Sequence, residues 1–281
     1  MARRVIQALA AVAQNSYLPG LLAGRIYRGD LKGVCVPGLN CYSCPGAWGS
    51  CPIGALQSLA TTRTSLNLSF YVYGLLALVG VTTGRFVCGF LCPFGFAQDL
   101  INKIPVPKLR EYRAFKLLSK AKYLILAVFV VGIPTYLTAS GGIGYPAFCQ
   151  YICPAGTLEA GIPLVIMNDR LAGSVGPLFA WKIAVLAAVV IFSTILLRPF
   201  CRFLCPLGAL YSFFNRISVV TINTDRAKCA GCGGCKAECP IGAAGTDSAD
   251  CIRCGACAKA CPSKAMRWGL RKAKKRFTEG H

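Results

Sequence analysis

The feature that most restricts the fold of this chain is a Cys-Pro-x-Gly motif. It occurs four times in the first 220 residues, each time followed by a helix-like run. The copies begin at Cys51, Cys92, Cys153 and Cys205. In the last three, a second cysteine lies four positions earlier, at Cys88, Cys149 and Cys201. Residues i and i+4 share one face of a helical turn, so such a pair can bind two irons of one cluster. The proline interrupts the preceding helix, and we expect the glycine to allow an unusual turn that points NH groups at sulfur.

Two further cysteine runs near the C-terminus share the spacing CxxCxxCxxxCP. Bacterial ferredoxins use this spacing to hold two 4Fe-4S clusters, and the fourth cysteine of each run ligates the other cluster. The first predicted site is Cys229, Cys232, Cys235 and Cys261. The second is Cys239, Cys251, Cys254 and Cys257. A zinc site or disulfides would need a different spacing, so these runs predict electron transfer.

The composition is typical of a membrane protein. Hydrophobic residues make up 55% of the chain, 15% of residues are charged, and the mean hydropathy is +0.54, outside the range of ordinary soluble domains. Four segments approach the roughly 20 apolar residues that cross a bilayer. They are 5–22, 66–83, 123–138 and 177–197. The first is interrupted by polar residues and also has features of a signal peptide, but the repeat described below needs it, so we expect an uncleaved anchor.

The distribution of basic residues predicts the orientation. With four spans and a cytoplasmic N-terminus, all but six of the 31 Lys and Arg residues lie on the cytoplasmic side. The six are Arg25, Arg28, Lys32, Arg63, Arg170 and Lys182. The ferredoxin runs are then cytoplasmic, and we expect the basic tail 267–281 to meet anionic lipid headgroups or to fix the topology. Nucleic-acid binding is the competing interpretation of this tail, and we do not expect it.

The first 220 residues divide into two similar halves, about 1–105 and 106–220. Each half ends with an arginine, Arg85 or Arg198, three residues before a CxxxCPxG motif. A parallel repeat relates its halves by an axis along the membrane normal, so motifs at the same depth face each other. This predicts an inner site of four thiolates, formed by Cys88, Cys92, Cys201 and Cys205. Redox thiols, a copper site and helix packing are the alternatives for these cysteines.

A second, outer site is predicted where the remaining motif of the second half faces the N-terminal loop. Alignment of the motifs gives its members as Cys44, Cys51, Cys149 and Cys153. Two loop cysteines, Cys35 and Cys41, are left over. They could form a disulfide on an oxidising surface or serve as alternative ligands.

Several other mechanisms lack the residues they need. The single histidine is His281 and no CxxCH motif is present, so neither b-type nor c-type haem is expected. No nucleotide-binding fingerprint occurs. Asp99, Glu159 and Asp169 lie beside the motifs or in loops, which gives no evident proton relay. The chain is therefore a poor candidate for a proton pump.

The paired ferredoxin runs and the R-x-x-C-x-x-x-C-P elements resemble the membrane polyferredoxins of the NapH and MauN type, a family that includes the membrane core of NosR. The resemblance implies four transmembrane helices, two cytoplasmic CxxxCP motifs and a two-cluster ferredoxin domain. It also implies electron transfer between quinone or cytoplasmic donors and an enzyme across the membrane. This chain departs from the family in its additional outer cysteines and lacks a flavin-bearing outer domain. Those differences favour a conduit over quinol oxidation.

The expected architecture is membrane α-helical, with four transmembrane helices in two pseudo-symmetric halves over residues 1–220. An α+β ferredoxin domain follows at 221–266. We expect a multi-pass protein of a prokaryotic inner membrane in which four 4Fe-4S clusters link a cytoplasmic redox protein to a membrane or extracytoplasmic partner, quinone being one candidate. Such a protein is an electron-transfer subunit without catalytic residues of its own. Two other classes stay open: a quinol dehydrogenase or metal reductase component, and a maturation or regulatory factor for an exported metalloenzyme.

Overall fold

The protein is mostly helical in the computed structural model, which describes residues 2–61, 66–109, 113–243 and 245–271. The expected basic tail therefore lies outside the described residues from position 272 onward. The longer helices are Ala2–Gln14, Pro52–Thr61, Leu66–Thr83, Pro93–Ile101, Ala121–Ala139, Pro154–Met167, Pro177–Ile195 and Pro206–Phe214. The short helices are Leu18–Ala23, Phe86–Phe90, Arg113–Leu118, Ala147–Tyr151, Asp169–Ala172, Pro199–Phe203, Gly234–Ala237 and Ala256–Lys259.

Two of these helices are long and apolar enough to cross a membrane. Ala121–Ala139 has a mean hydropathy of 1.6 and Pro177–Ile195 of 2.2. Ala121–Ala139 is wound as a π-helix over Leu126–Gly132, a form that is rare elsewhere and is often found at functional sites. The expected span 66–83 is also a single helix, Leu66–Thr83.

The segment 5–22, expected to be one span, is two helices. The first helix ends at Gln14 and the second begins at Leu18. The Asn15 side chain donates back to the Ala11 carbonyl at 3.0 Å, and such local bonds compete with helix continuation. Pro19 then occupies the first turn of the second helix, a position that proline favours. The polar residues that interrupt the apolar pattern thus also interrupt the helix.

Each Cys-Pro-x-Gly motif begins a helix. The four helices start at Pro52, Pro93, Pro154 and Pro206, because proline has a preset φ and no NH to leave unpaired at the first helical position. A five-residue helix precedes each of the last three motifs. The motif is therefore a break between two helices that places its cysteines at the junction.

The inner and outer cysteines belong to one buried core. Cys51 and Cys153 share a single hydrophobic cluster with the four cysteines of the inner site. An aromatic row crosses this core: the Phe94 and Phe200 rings are 5.3 Å apart edge to face, and Phe200 is 6.5 Å from Phe148. Phe200 and Phe148 each precede a motif cysteine, so the row connects the two sites.

The C-terminal segment contains a two-stranded antiparallel sheet of Val220–Thr224 and Met266–Leu270. Both ferredoxin cysteine runs lie between these two strands in the sequence. In each run a glycine with positive φ, Gly233 at 70° or Gly255 at 80°, precedes a short helix. The two runs thus have the same local conformation.

Candidate metal centres

The structure brings the four cysteines of the inner site together. All four are buried, with 5 to 7% of their surface exposed. Burial raises the pKa of Cys205 well above its usual value, and neighbouring Cys201 and Cys88 raise it further. Burial likewise raises the pKa of Cys92, followed by the effects of Cys201 and Cys88. Each half therefore contributes two thiols to one buried site, as the repeat predicts.

NH groups point at the inner sulfurs. The backbone NH groups of Gly95 and Gly208 donate to Cys92 Sγ and Cys205 Sγ, each at 3.4 Å. Each bond links the last cysteine of a motif to the glycine of the same motif. Because such bonds stabilise thiolate charge, the arrangement favours ligation of a metal cluster.

Two buried arginines link the halves reciprocally. Arg85 donates through Nη2 to the Cys201 carbonyl at 3.0 Å, and Arg198 donates to the Cys88 carbonyl. Both arginines are 1% exposed. Each arginine three residues before a motif therefore bonds the first cysteine of the other half's motif.

The motif glycine makes room for this arginine. A Cβ at Gly95 would lie 3.0 Å from Arg198 Nη1 and 3.1 Å from the Cys88 carbonyl oxygen. A Cβ at Gly208 would lie 3.2 Å from Arg85 Nη2. Neither glycine has a positive φ, so the expected unusual turn at these glycines is wrong. At the inner site the motif therefore requires glycine for space.

Asp99 balances the charge of Arg198. Its carboxylate accepts two bonds from Arg198, at 2.6 and 2.7 Å, and others from Arg3 and Gln7. Burial alone would raise the pKa of Asp99, but Arg198, Arg3 and Gln7 together outweigh burial, so the pKa is lowered. Arg198 has a φ of 53°, which non-glycine residues rarely adopt, and the ion pair holds it there.

The outer site surrounds a cavity of about 700 Å³. Its lining includes Cys41, Cys51, Cys149 and Cys153. Burial raises the pKa of Cys153, followed by the effects of Cys149, Cys41 and Cys51. Cys41 Sγ also lies 3.6 Å from where a Cβ on Gly156 would be. Three predicted outer cysteines are thus close together, and Cys41 joins them.

Cys44 is oriented differently. Its Sγ contacts Asn15 Oδ1 at 3.5 Å, and it is not among the residues that line the outer cavity. Burial raises its pKa, and Cys44 adds less than Cys149 to the pKa of Cys41, which burial raises most. Cys35 also lines the outer cavity, and its Sγ lies 3.3 Å from Ser50 Oγ. Neither Cys35 nor Cys41 is in a disulfide. The contacts therefore favour Cys41 over Cys44 as the loop's partner for Cys149.

Polar side chains complete the outer site. Gln57 Nε2 donates to Cys149 Sγ at 3.0 Å, and Lys182 Nζ donates to the Cys149 carbonyl at 3.3 Å. Glu159 accepts a 2.6 Å bond from the Cys41 backbone NH. Burial raises the pKa of Glu159 to about 8. The outer site thus has one lysine and one carboxyl group, whereas the inner site has two arginines and the carboxylate of Asp99.

The ferredoxin runs also gather their cysteines. Burial raises the pKa of Cys257 to about 11, followed by the effects of Cys251, Cys254 and Cys239, which are the other members of the second predicted ferredoxin site. The four cysteines of the first predicted ferredoxin site line one cavity of about 690 Å³. These are Cys229, Cys232, Cys235 and Cys261.

The ferredoxin segment packs directly on the inner site. Arg85 Nη1 donates to the Ala249 carbonyl at 2.8 Å, and Asn215 Nδ2 donates to the Cys251 carbonyl at 2.8 Å. A Cβ on Gly89, the residue after Cys88, would lie 2.4 Å from the Ile252 carbonyl oxygen. The second ferredoxin site is therefore adjacent to the inner site.

The donor sets fit 4Fe-4S clusters. Within the described part of the chain, no three His, Cys, Asp or Glu side chains come close enough to hold a single metal ion. Four thiols that surround a cluster satisfy a different geometry, because each thiolate binds its own iron. The buried thiols, the NH donors to sulfur and the cationic side chains all match that requirement.

Sequence reasoning missed Gln57, Gln98 and Tyr211. Each is the sixth residue after the last cysteine of a motif, and each is 0 to 1% exposed. Gln98 Nε2 donates to Cys201 Sγ at 3.1 Å, and Tyr211 donates to the Pro37 carbonyl at 3.0 Å. The recurrence of a polar residue at this position was the available signal.

Known proteins confirm the iron–sulfur interpretation. One 4Fe-4S binding domain matches residues 64–110, 123–162 and 178–224, and a second 4Fe-4S binding domain matches 245–267. The first of these domains includes the motif pairs of both halves, and the second includes the last cysteine run. No solved structure matches the chain.

Curated relatives point the same way. MauN of Paracoccus denitrificans, a methylamine utilization ferredoxin-type protein, is 27% identical over 245 residues, which cover 85% of this chain and 74% of MauN. The ferredoxin-type protein NapH of Escherichia coli is 28% identical over 202 residues, 67% of this chain and 59% of NapH. The uncharacterized protein MJ0749 of Methanocaldococcus jannaschii is 28% identical over 162 residues, 56% of this chain and 52% of MJ0749. The chain thus spans about half the length of MJ0749. It is a relative of the ferredoxin-type proteins MauN and NapH and contains 4Fe-4S binding domains.

Proposed function

We propose that the chain conducts electrons across a prokaryotic inner membrane, between a cytoplasmic redox protein and a membrane or extracytoplasmic partner. The observation that carries this proposal is the continuity of the cysteine sites. The second ferredoxin site packs on the inner site through Asn215 and Gly89, and the inner and outer sites share one core. A 4Fe-4S cluster, when bound, takes up and releases an electron without proton chemistry.

The protein supplies ligands, charge and insulation. We assign the inner cluster to Cys88, Cys92, Cys201 and Cys205. We assign the outer cluster to Cys41, Cys51, Cys149 and Cys153, with Cys41 in place of the expected Cys44. Two ferredoxin sites of four cysteines each complete a set of four. Burial of the four inner thiols excludes water, which protects a reduced cluster from side reactions.

The membrane arrangement is part of the proposal. Ala121–Ala139 and Pro177–Ile195 are long enough to span the hydrocarbon core, and Leu66–Thr83 and Ala2–Gln14 would complete four helices. The positive-inside rule places the ferredoxin segment in the cytoplasm. Electrons would then enter or leave through the ferredoxin sites on that side and through the outer site on the other.

Iron counting tests the cluster assignment. We expect about 16 irons and 16 sulfides per chain after anaerobic purification, four of each per cluster. Replacing Cys201 and Cys205 together with serine should lower both counts by about four and remove one signal in electron paramagnetic resonance (EPR). A double variant that still holds about 16 irons would refute the inner cluster.

A matched pair tests the outer ligand. Cys41→Ser should lose about four irons, because Cys41 is close to Cys149 and Cys153. Cys44→Ser should keep them, because Cys44 Sγ faces Asn15. Loss of iron in Cys44→Ser but not in Cys41→Ser would show that Cys44 is the outer ligand, as the alignment of the motifs predicts, and would exclude Cys41. Full iron in both variants would exclude the outer cluster.

A further inference from the structure

One sequence position recurs at both membrane sites. The sixth residue after the last cysteine of each Cys-Pro-x-Gly motif is Gln57, Gln98, Glu159 or Tyr211. Each of these side chains makes a hydrogen bond to a residue outside its own motif. In the two first-half copies the side chain is an amide, and its target is a cysteine sulfur.

The two amides have the same geometry. Gln57 Nε2 lies 3.0 Å from Cys149 Sγ and 3.4 Å from the Ile53 carbonyl. Gln98 Nε2 lies 3.1 Å from Cys201 Sγ and 3.5 Å from the Phe94 carbonyl. Each amide uses one NH for the carbonyl four residues earlier in its own helix. The other NH crosses to the first cysteine of a motif in the second half.

Helix packing alone does not require these amides. Gln57 and Gln98 are 0 and 1% exposed, and a buried amide is unfavourable unless its polar atoms are bonded. Gln98 Oε1 has no partner, so an apolar side chain of similar size would avoid that cost. At Gln98 the NH bond to sulfur is the contact that an apolar residue cannot replace. At Gln57 an apolar residue would also lose the bond that Oε1 accepts from the Phe148 NH at 2.9 Å, so Gln98 is the cleaner test.

We propose that Gln57 and Gln98 are positioning residues that hold Cys149 and Cys201 and raise the reduction potential of the clusters those cysteines bind. This inference rests on the proposed function. An NH bond to a ligating sulfur stabilises negative charge, and the reduced cluster carries one more negative charge than the oxidised cluster. The bond is therefore stronger after reduction and favours that state.

The second-half copies do not do this. Glu159 accepts a backbone NH, and Tyr211 donates to a carbonyl. The amide bond from this position therefore falls on one cysteine at each site, and at both sites that cysteine is the first of a second-half motif. The two sites are built by one rule, in which the first half supplies the donor and the second half supplies the sulfur.

The test uses the full chain, purified anaerobically, with a redox titration followed by EPR. Gln98→Leu should lower the equilibrium constant for reduction of the inner cluster about tenfold, which is about 59 mV for a one-electron couple. Gln57→Leu should shift the outer cluster in the same direction. Iron content should stay at the wild-type value in both variants.

Gln14→Leu is the matched control. Gln14 is 7% exposed, and its Nε2 donates to the Leu91 carbonyl at 2.7 Å beside the inner site, but it bonds no sulfur. It should therefore leave both potentials unchanged. Gln98→Met provides a second, more flexible replacement. Loss of about four irons in both Gln98 variants would overturn the inference, because the amide would then be needed to build the inner site rather than to set its potential.

The outcomes separate this inference from the proposed function. A wild-type chain with only about eight irons would refute the membrane clusters themselves. A wild-type chain with about 16 irons and unshifted potentials in the Gln57 and Gln98 variants would refute only the inference. Equal shifts in Gln14→Leu and Gln98→Leu would also refute it, because the effect would then be general to buried polar residues.

Discussion

The inner and outer sites use the same kinds of elements, but the two halves match each other more closely at the inner site. Each takes two motif helices and one buried glutamine, from Pro93–Ile101 at the inner site and from Pro52–Thr61 at the outer site. At the inner site both halves contribute a cysteine pair spaced four residues apart. At the outer site the first half has no cysteine four residues before Cys51, so a loop must supply the fourth thiol. The repeat thus tolerates replacement of one ligand while the helices stay in place.

The cationic partners differ in the same way. Arg85 and Arg198 each bond a cysteine carbonyl of the opposite half, and Arg198 also forms a two-point ion pair with Asp99. At the outer site Lys182 alone bonds a cysteine carbonyl, that of Cys149. A lysine is a point charge on a flexible stem, whereas arginine offers a rigid fork. The inner site is therefore tied across the halves by two arginines, whereas the lysine bond at the outer site stays within the second half.

The largest expected difference between the sites follows from these cations. Arg198→Leu should destabilise the protein by about 3–5 kcal/mol, because it leaves Asp99 without its main counter-ion, and it should lose the inner cluster. Lys182→Met removes a single bond and should cost about 1 kcal/mol. Thermal unfolding and iron counts measure both. Adding Asp99→Asn to Arg198→Leu should recover stability but not iron. Similar losses in the two single variants would contradict the comparison.

A smaller difference is expected at the motif glycines. Gly95→Ala places a methyl group 3.0 Å from Arg198 and 3.1 Å from the Cys88 carbonyl oxygen, and such overpacking costs typically about 1–3 kcal/mol. Gly54→Ala is the control at the outer site, because its nearest neighbour, Cys51 Cβ, is at 3.8 Å. Gly54→Ala should keep wild-type stability and iron. Greater damage from Gly54→Ala than from Gly95→Ala would show that the glycine does not serve the arginine.

The sequence predicted which inner cysteines group together better than it predicted the tertiary contacts of the outer loop. The spacing of Cys88, Cys92, Cys201 and Cys205, with the repeat of Arg85 and Arg198, was enough to group the inner cysteines, because a repeat constrains both halves at once. The outer loop has no repeat to constrain it. Cys41 and Cys44 are both compatible with the pattern, and only tertiary contacts favour Cys41. The same limit explains the helix end at Gln14, where a local Asn15 bond outweighs apolar periodicity.

The sequence also left the role of the motif glycines partly unpredicted. Motif glycines indicated a strained turn, because glycine is common in such turns, yet Gly95 and Gly208 have ordinary backbone and serve the arginine opposite. That arginine lies more than a hundred residues away in sequence, with 103 positions separating Arg198 from Gly95. Steric needs set by a partner at that distance cannot be read from local composition.

The subtlest expected difference is in reduction potential. Beside the inner cysteines two buried arginines outnumber one carboxylate, Asp99, and their net positive charge favours the added negative charge of a reduced cluster. At the outer site Glu159, whose pKa burial raises to about 8, opposes that charge once it is ionised above this pH. The cluster lost in Cys201→Ser should therefore titrate at a higher potential than the cluster lost in Cys153→Ser. Above about pH 8, where Glu159 is ionised, Glu159→Gln should raise the outer potential and leave the inner one unchanged, since its contact is with Cys41. An outer cluster that titrates above the inner one in the wild-type chain would show that charge beside the cysteines does not set the order. In that case hydrogen bonds to sulfur, which the two sites share through Gln57 and Gln98, would be the stronger influence.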